Sequence, residues 1–180
     1  MKKVFLILFI LISVQTIYTQ KPIGVSAKSK NKAAMEKRIK DQLIGTWILV
    51  LVDNINPDGK RTQPYGENPQ GVLTFDKDSN YSLQILGTDR TKFVSGDKTK
   101  GTADENKSLV LGSNSHFGKY LINAADNTLT FQIQHAFFPN WEGTQQKRDF
   151  TLSEKKLKYT VPTTTNGAGV SGEVVWKRIG

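Results

Sequence analysis

Leu43-Ile44-Gly45-Thr46-Trp47-Ile48-Leu49-Val50-Leu51-Val52 is a Gly-x-Trp followed by an apolar, largely β-branched run. A run of this kind reads as a strand, over about residues 44–53, when turn residues bound it. Asn54-Ile55-Asn56-Pro57-Asp58-Gly59 supplies that boundary. Trp176, in Val174-Val175-Trp176-Lys177-Arg178, is the other tryptophan in a strand-like setting. We expect the first and last strands to meet and close a barrel.

Between these ends short alternating segments repeat. Residues 71–76 and 80–87 flank the turn Asp76-Lys77-Asp78-Ser79-Asn80, with Leu73 and Phe75 on one face of the first and Tyr81, Leu83 and Ile85 on one face of the second. Further strands are predicted at about 115–123, 128–137, 144–152, 156–162 and 171–178. Asn127 suits a left-handed turn position. Eight strands with mostly short connections imply antiparallel neighbours. The expected fold is all-β, an eight-stranded up-and-down barrel, wide enough for one small ligand. Two short helices complete it. Lys32 to Leu43 has helix-forming composition, with Met35, Ile39 and Leu43 as a narrow apolar stripe. Thr102-Ala103-Asp104-Glu105 matches a capping box and starts a helix to about Leu111. Residues 88–111 form the one insertion between strands long enough to act as a lid or plug.

Met1-Lys2-Lys3 followed by the apolar run Val4 to Ile12 has the shape of a secretory signal, too short to span a bilayer. The chain therefore divides into a signal over 1–19, a basic linker and lead helix over 20–42, and the barrel over 43–180. Within the linker, residues 20–31 read as disordered. The location implied is periplasmic or secreted, with no membrane span after signal removal. The formal charge of +9 is concentrated at this end: residues 1–40 hold nine basic residues and one acid. The barrel is close to neutral, and the basic segment reads as a solvated spacer rather than a contact for nucleic acid or anionic membrane. The chain has no Cys, which excludes disulfides, thiol nucleophiles and cysteine-ligated zinc.

Gly45-x-Trp47 with Arg178 near the end of the last strand is similar to the lipocalin and wider calycin pattern. Leu43-Ile44-Gly45-Thr46-Trp47, Pro69-Gln70-Gly71-Val72-Leu73, Ser95-Gly96-Asp97, Gly101-Thr102-Ala103-Asp104-Glu105, Phe138-Pro139-Asn140-Trp141-Glu142-Gly143-Thr144 and Arg148 resemble segments of bacterial and fungal lipocalin-like domain proteins. The resemblance covers about residues 43–178 and implies a barrel with an apolar cavity. It also implies that Gly45, Trp47 and Arg178 are structural residues, the Trp packing at the closed end and the Arg lying across it. It brings no single reaction with it.

Alternation predicts the cavity wall. Leu129, Phe131, Ile133, His135 and Phe137 share one face of their strand; His116, Gly118, Tyr120 and Ile122 share another. Arg148 falls with Phe150 and Leu152, and Tyr159 with Leu157 and Val161. Pairing Asn123 with Thr128 sets His116 opposite His135. The candidate ligand-binding residues are Arg148, His135, His116, Tyr120, Tyr159 and Phe131. An inward guanidinium without an acid needs an anionic partner or several acceptors. Trp141 is expected to pack at a barrel end.

No nucleophile elbow, Walker loop or dinucleotide fingerprint is present, and no catalytic residue, metal ligand or cofactor is assigned. The expected function is binding or carriage of a small hydrophobic or amphipathic molecule, with any anionic group near Arg148. Two alternatives stand beside it: an isomerase or cyclase that uses a histidine and Arg148, and an interaction module with a filled barrel that presents Phe137 to Trp141. No nucleic-acid partner is expected.

Overall fold

The computed structural model describes residues 27–164 and 169–179. The signal segment, residues 20–26 of the linker and part of the Thr163–Gly169 loop lie outside the described residues. The elements are α1 (Ala27–Leu43), β1 (Gly45–Ile55), β2 (Arg61–Thr62), β3 (Gln70–Phe75), β4 (Asn80–Leu86), α2 (Ala103–Leu111), β5 (Ser113–Asn123), β6 (Thr128–Ala136), a 3₁₀ turn (Pro139–Trp141), β7 (Gln145–Leu152), β8 (Lys156–Val161) and β9 (Ser171–Arg178). β1 and β3 to β9 pair antiparallel in chain order, and β1 also pairs with β9, so eight strands close into a barrel. β2 is a two-residue addition to the end of β1. The linker is shorter than the sequence implies: α1 begins at Ala27, because Ala, Lys and Ser through 27–31 extend the helix without a breaker.

Short turns at 76–79, 124–127 and 153–155 gather at one end of the barrel, and α1 packs there. Asn127 is left-handed at φ 50, as expected, and Ser79 is too at φ 64. Ile39 and Leu43 of α1 enter the core beside Trp47. Trp47 donates its indole N–H to the Leu43 carbonyl at 2.9 Å. The Arg178 guanidinium lies 4.2 Å over the Trp47 ring. It donates to the carbonyls of Ile44 at 2.8 Å, of Glu154 at 2.9 Å and of Gln42. Those carbonyls end the helix and a turn, and the planar five-donor fork bonds all three at once. Gly45 sits at φ +129, and a Cβ there would approach Arg178 Nη1 to 2.8 Å. Gly45, Trp47 and Arg178 thus form one closed-end seal.

The core is made by the inward face of each strand. Trp47, Leu73, Leu129, Leu157 and Trp176 are fully buried, each worth roughly 1.5–3 kcal/mol against exposure. Two irregularities break the alternation. Between Leu49 and Leu51 the β1–β9 register shifts. Trp47 and Leu49 face inward before this bulge, Val52 and Asn54 after it. A second shift separates Phe117 from Gly118 in the β5–β6 pair.

The longer loops 56–69, 87–112 and 137–144, with the residues that follow β8, lie at the opposite end. The Thr102 capping box at α2 is formed: Thr102 Oγ1 accepts from the Glu105 amide, and Glu105 Oε2 accepts from the Thr102 amide at 2.7 Å. Glu105 Oε1 accepts a further bond from the Val94 amide at 2.8 Å and so ties the 88–101 segment to the helix.

Candidate functional site

The barrel is packed solid at the α1 end and hollow at the other, where a cavity of about 400 Å³ opens. Strand alternation supplies its walls: Leu83 and Ile85 of β4, His116 of β5, Phe131 of β6, Arg148 of β7, Tyr159 of β8 and Val174 of β9. Val52 and Asn54 join them because the β1 bulge turns even-numbered residues inward. Pro64 and Tyr65 from the 56–69 loop, Trp141 from the 3₁₀ turn and Pro162 to Thr164 line the mouth. Among the described residues the lining holds no Asp or Glu; Lys147 contributes to it but turns its ammonium outward to Asp126 at 2.9 Å, which leaves Arg148 as the charge facing the cavity.

Arg148 is half-buried. Its guanidinium donates to the Lys147 carbonyl at 3.0 Å and to Gln146 Oε1. Burial lowers its pKa from the ordinary arginine value, while the nearby hydroxyls of Tyr159 and Tyr81 act the other way. No acidic side chain pairs with it among the described residues. His116 is buried, and its Nδ1 lies 2.8 Å from the Tyr81 hydroxyl. Burial first, then the positive charge of Arg148, pushes its pKa down to about 4, so the ring is neutral at neutral pH. A Tyr81 hydroxyl that donates to Nδ1 leaves the ring proton on Nε2. Burial pushes Tyr159 up to about 12 and raises Tyr81 as well, so both remain protonated donors. Trp141 stands edge-on to His116, ring centroids 6.0 Å apart, and edge-on to Phe138 at 5.5 Å. Asn114 Oδ1 is buried beside the Tyr65 side chain without a regular hydrogen bond among the described residues.

The electrostatic character is one-sided. A positive charge, neutral donors and aromatic faces surround an apolar volume that no acidic side chain lines among the described residues. Such a wall favours the carboxylate, enolate, phenolate or phosphate end of a molecule whose remainder is apolar.

Of the residues picked out in the sequence, Arg148, His116, Tyr159 and Phe131 share this cavity. Two do not. Tyr120 points inward but sits toward the closed end: its hydroxyl donates to the Asp76 carbonyl at 3.1 Å, and its ring packs on Phe75. His135 faces outward, with 67% of its side chain exposed and Glu142 Oε1 3.5 Å from Nδ1. The expected His116–His135 pairing fails for a local reason. Asn123↔Thr128 through Gly118↔Ile133 hold the predicted register; the bulge then leaves Gln134 unpaired, so His135 meets Phe117 and His116 meets Ala136. One extra residue reverses which side chains face in.

The 88–111 insertion is not a lid, for none of its residues lines the cavity; α2 packs beside β5 instead. The mouth is covered by Tyr65 and Trp141. Trp141 does pack at a barrel end, the open one, and also forms part of the wall. Tyr81 was legible as an inward residue, yet its hydrogen bond to His116 needed the β4–β5 register, which pairs Leu83 with His116. Tyr65 lies in a loop, where no periodicity signals orientation; Asn114 shares the inward face of His116 but precedes the predicted start of its strand, which begins at Ser113 rather than 115. No cluster of three or more potential metal ligands occurs among the described residues.

The family model described as a lipocalin-like domain matches residues 44–179. A search of curated proteins finds no match. The matched span runs from the strand that opens the barrel, through the cavity wall, to the arginine that seals the closed end, and the chain belongs to the lipocalin-like domain family.

Proposed function

We propose that this is an exported carrier or binder of a small amphipathic anion, held in the barrel with its apolar part against Leu83, Ile85, Phe131 and Val174 and its anionic group toward Arg148. One observation supports this above the others: a roughly 400 Å³ cavity into which the basic side chain of Arg148 faces, with no acidic side chain among the described residues of its lining. A cationic group half-buried without a protein carboxylate gains most when the ligand supplies the counter-charge. Export to the periplasm or the exterior rests on the basic start and apolar Val4–Ile12 run of the sequence. Among the described residues no helix is long and apolar enough to cross a membrane.

Native mass spectrometry of the protein collected from the exported fraction tests this reading. A small-molecule adduct lost in Arg148→Met is expected. An empty barrel that also rejects amphipathic acids, or recovery of the chain only from the cytoplasm, would overturn the respective halves.

His116 and Arg148 face the same cavity, and this observation favours a second reading, an isomerase or cyclase in which the imidazole moves a proton and Arg148 steadies an oxyanion. Chemical change of the co-purified molecule on incubation with the protein, abolished in His116→Gln, would select it. A filled barrel does not describe this interior.

A further inference from the structure

α1 carries Lys28, Lys30, Lys32, Lys37, Arg38 and Lys40 against Glu36 and Asp41. Its second half is anchored by Ile39 and Leu43, but Ala27 to Met35 are exposed throughout. Lys37 is paired with Asp41 at 2.6 Å and Lys32 loosely with Glu36 at 3.7 Å. Lys28 and Lys30 have no acidic partner among the described residues. Beneath this half-helix, against the 124–127 turn, runs an open groove of about 450 Å³ lined by Lys28, Ser29, Lys32, Met35, Ala124 and Ala125. Its floor is apolar and its rim cationic. The exposed half of the helix, its charge and the groove all lie at the closed end, away from the cavity mouth.

In place of the solvated spacer expected from sequence, we propose that the closed end docks on a membrane surface of anionic lipid, with α1 lying against the headgroups, its lysines on phosphates and the Met35–Ala124–Ala125 floor against the lipid's apolar part. Clustered lysines are drawn to the negative potential of such a surface, and each contributes separately. The apolar floor distinguishes this occupant from nucleic acid, since neither α1 nor the groove offers an aromatic face on which a base would stack. The orientation leaves the Tyr65–Trp141 mouth directed away from the bilayer. The inference stands whatever the cavity binds.

The test is co-sedimentation of the exported full chain with phosphatidylcholine vesicles, with and without phosphatidylglycerol. Binding that requires phosphatidylglycerol and fades as salt rises is expected. The combined Lys28→Gln, Lys30→Gln and Lys32→Gln variant should bind about 100-fold more weakly. Lys98→Gln, Lys100→Gln and Lys107→Gln together, at the open end, should change nothing. Met35→Asp should also weaken binding, through the groove. Equal partition onto pure phosphatidylcholine, an equal loss in the open-end variant, displacement by soluble glycerol phosphate, or tighter binding to an oligonucleotide than to the anionic vesicles would each overturn the proposal. Circular dichroism melting checks that each variant is folded, and the salt dependence of the unaltered chain decides the matter independently of them.

Discussion

The Tyr81 hydroxyl and His116 Nδ1 lie 2.8 Å apart across the β4–β5 pair, in the wall just beneath the cavity. Phe131 packs on both rings, at 4.6 Å from Tyr81 and 5.7 Å from His116. The pair is held neutral by burial, with His116 near pH 4. In the unfolded chain the ring titrates near 6.5, so between about 4 and about 6.5 the unfolded state binds a proton that the folded state refuses. Stability from this group is complete above about 6.5 and is lost as the pH falls toward 4, by at most about 3 kcal/mol. Urea midpoints across that window should fall less steeply for His116→Gln, whose amide can still meet Tyr81, than for the unaltered chain. Equal slopes would show that His116 is already protonated in the fold.

Arg148 should govern ligand charge preference more than stability. Its hydrogen bonds run to a neighbouring carbonyl and to Gln146, so its loss orphans no buried acid. A medium-chain fatty acid and the matching alcohol are suitable probes. The unaltered protein should favour the acid, and Arg148→Met should lose that preference with a drop of about 10- to 100-fold in affinity for the acid, as expected for a charge-assisted pair. Arg148→Lys should recover only part, since an ammonium lacks the planar fork. Unchanged selectivity in the variant would place the anion elsewhere.

At the closed end the effects should be on stability alone. Gly45→Ala must place a Cβ at φ +129 and 2.8 Å from Arg178 Nη1, a combination expected to cost about 2–4 kcal/mol. Arg178→Lys keeps the charge but cannot reach the carbonyls of Gln42, Ile44 and Glu154 together, and should cost about 2 kcal/mol. Denaturant titration measures both, and fatty-acid affinity measured on the folded fraction should not move.

The elements that could be read in advance are those where a repeating burial pattern meets a defined turn. Leu73 and Phe75, Tyr81 to Ile85, and Phe150 opposite Tyr159 fall where alternation puts them, and the Thr102 cap needed only four residues to recognise. The errors cluster at irregularities. A bulge is a one-residue event that strand periodicity does not announce; this one falls beside Gly118, which approaches the Gln132 backbone closely. Val52 and Asn54 entered the wall, and His135 left it, through two such events. Tyr65 was beyond reach for another reason, because a loop residue takes its orientation from tertiary contacts, here the Tyr65 carbonyl accepting from the Thr88 amide at 3.3 Å.

Whether the bulge that turns His135 outward depends on Gly118 can be measured. A side chain at Gly118 would run into the Gln132 carbonyl and the Gln134 amide, both backbone atoms that cannot rotate away. Gly118→Ala should therefore lower stability by about 1–3 kcal/mol. Amide exchange should rise first at Ile133, Gln134 and His135, the residues around the bulge. Full retention of stability would mean that the bulge does not depend on the glycine.

Arg61 offers a separate handle on the mouth. Arg61 Nη1 donates to Asp53 Oδ2 at 2.7 Å and to Glu173 Oε1 at 3.1 Å, and Lys158 holds the other Glu173 oxygen at 3.1 Å. The two carboxylates belong to β1 and β9, so Arg61 pins the start of the loop that carries Pro64 and Tyr65 over the cavity. None of Arg61, Asp53 and Glu173 lines the cavity. Arg61→Gln should therefore free the loop without altering the wall, raising association and dissociation rates together by about fivefold, the scale of an exposed ion pair, with little change in Kd. High salt should produce part of the same effect in the unaltered chain, because the arginine is half-exposed and screened. Stopped-flow mixing with a fluorescent fatty acid separates the outcomes. Rates that stay fixed would mean that the Tyr65 loop does not gate the cavity, and a change confined to dissociation would mean that Arg61 supports the bound state itself.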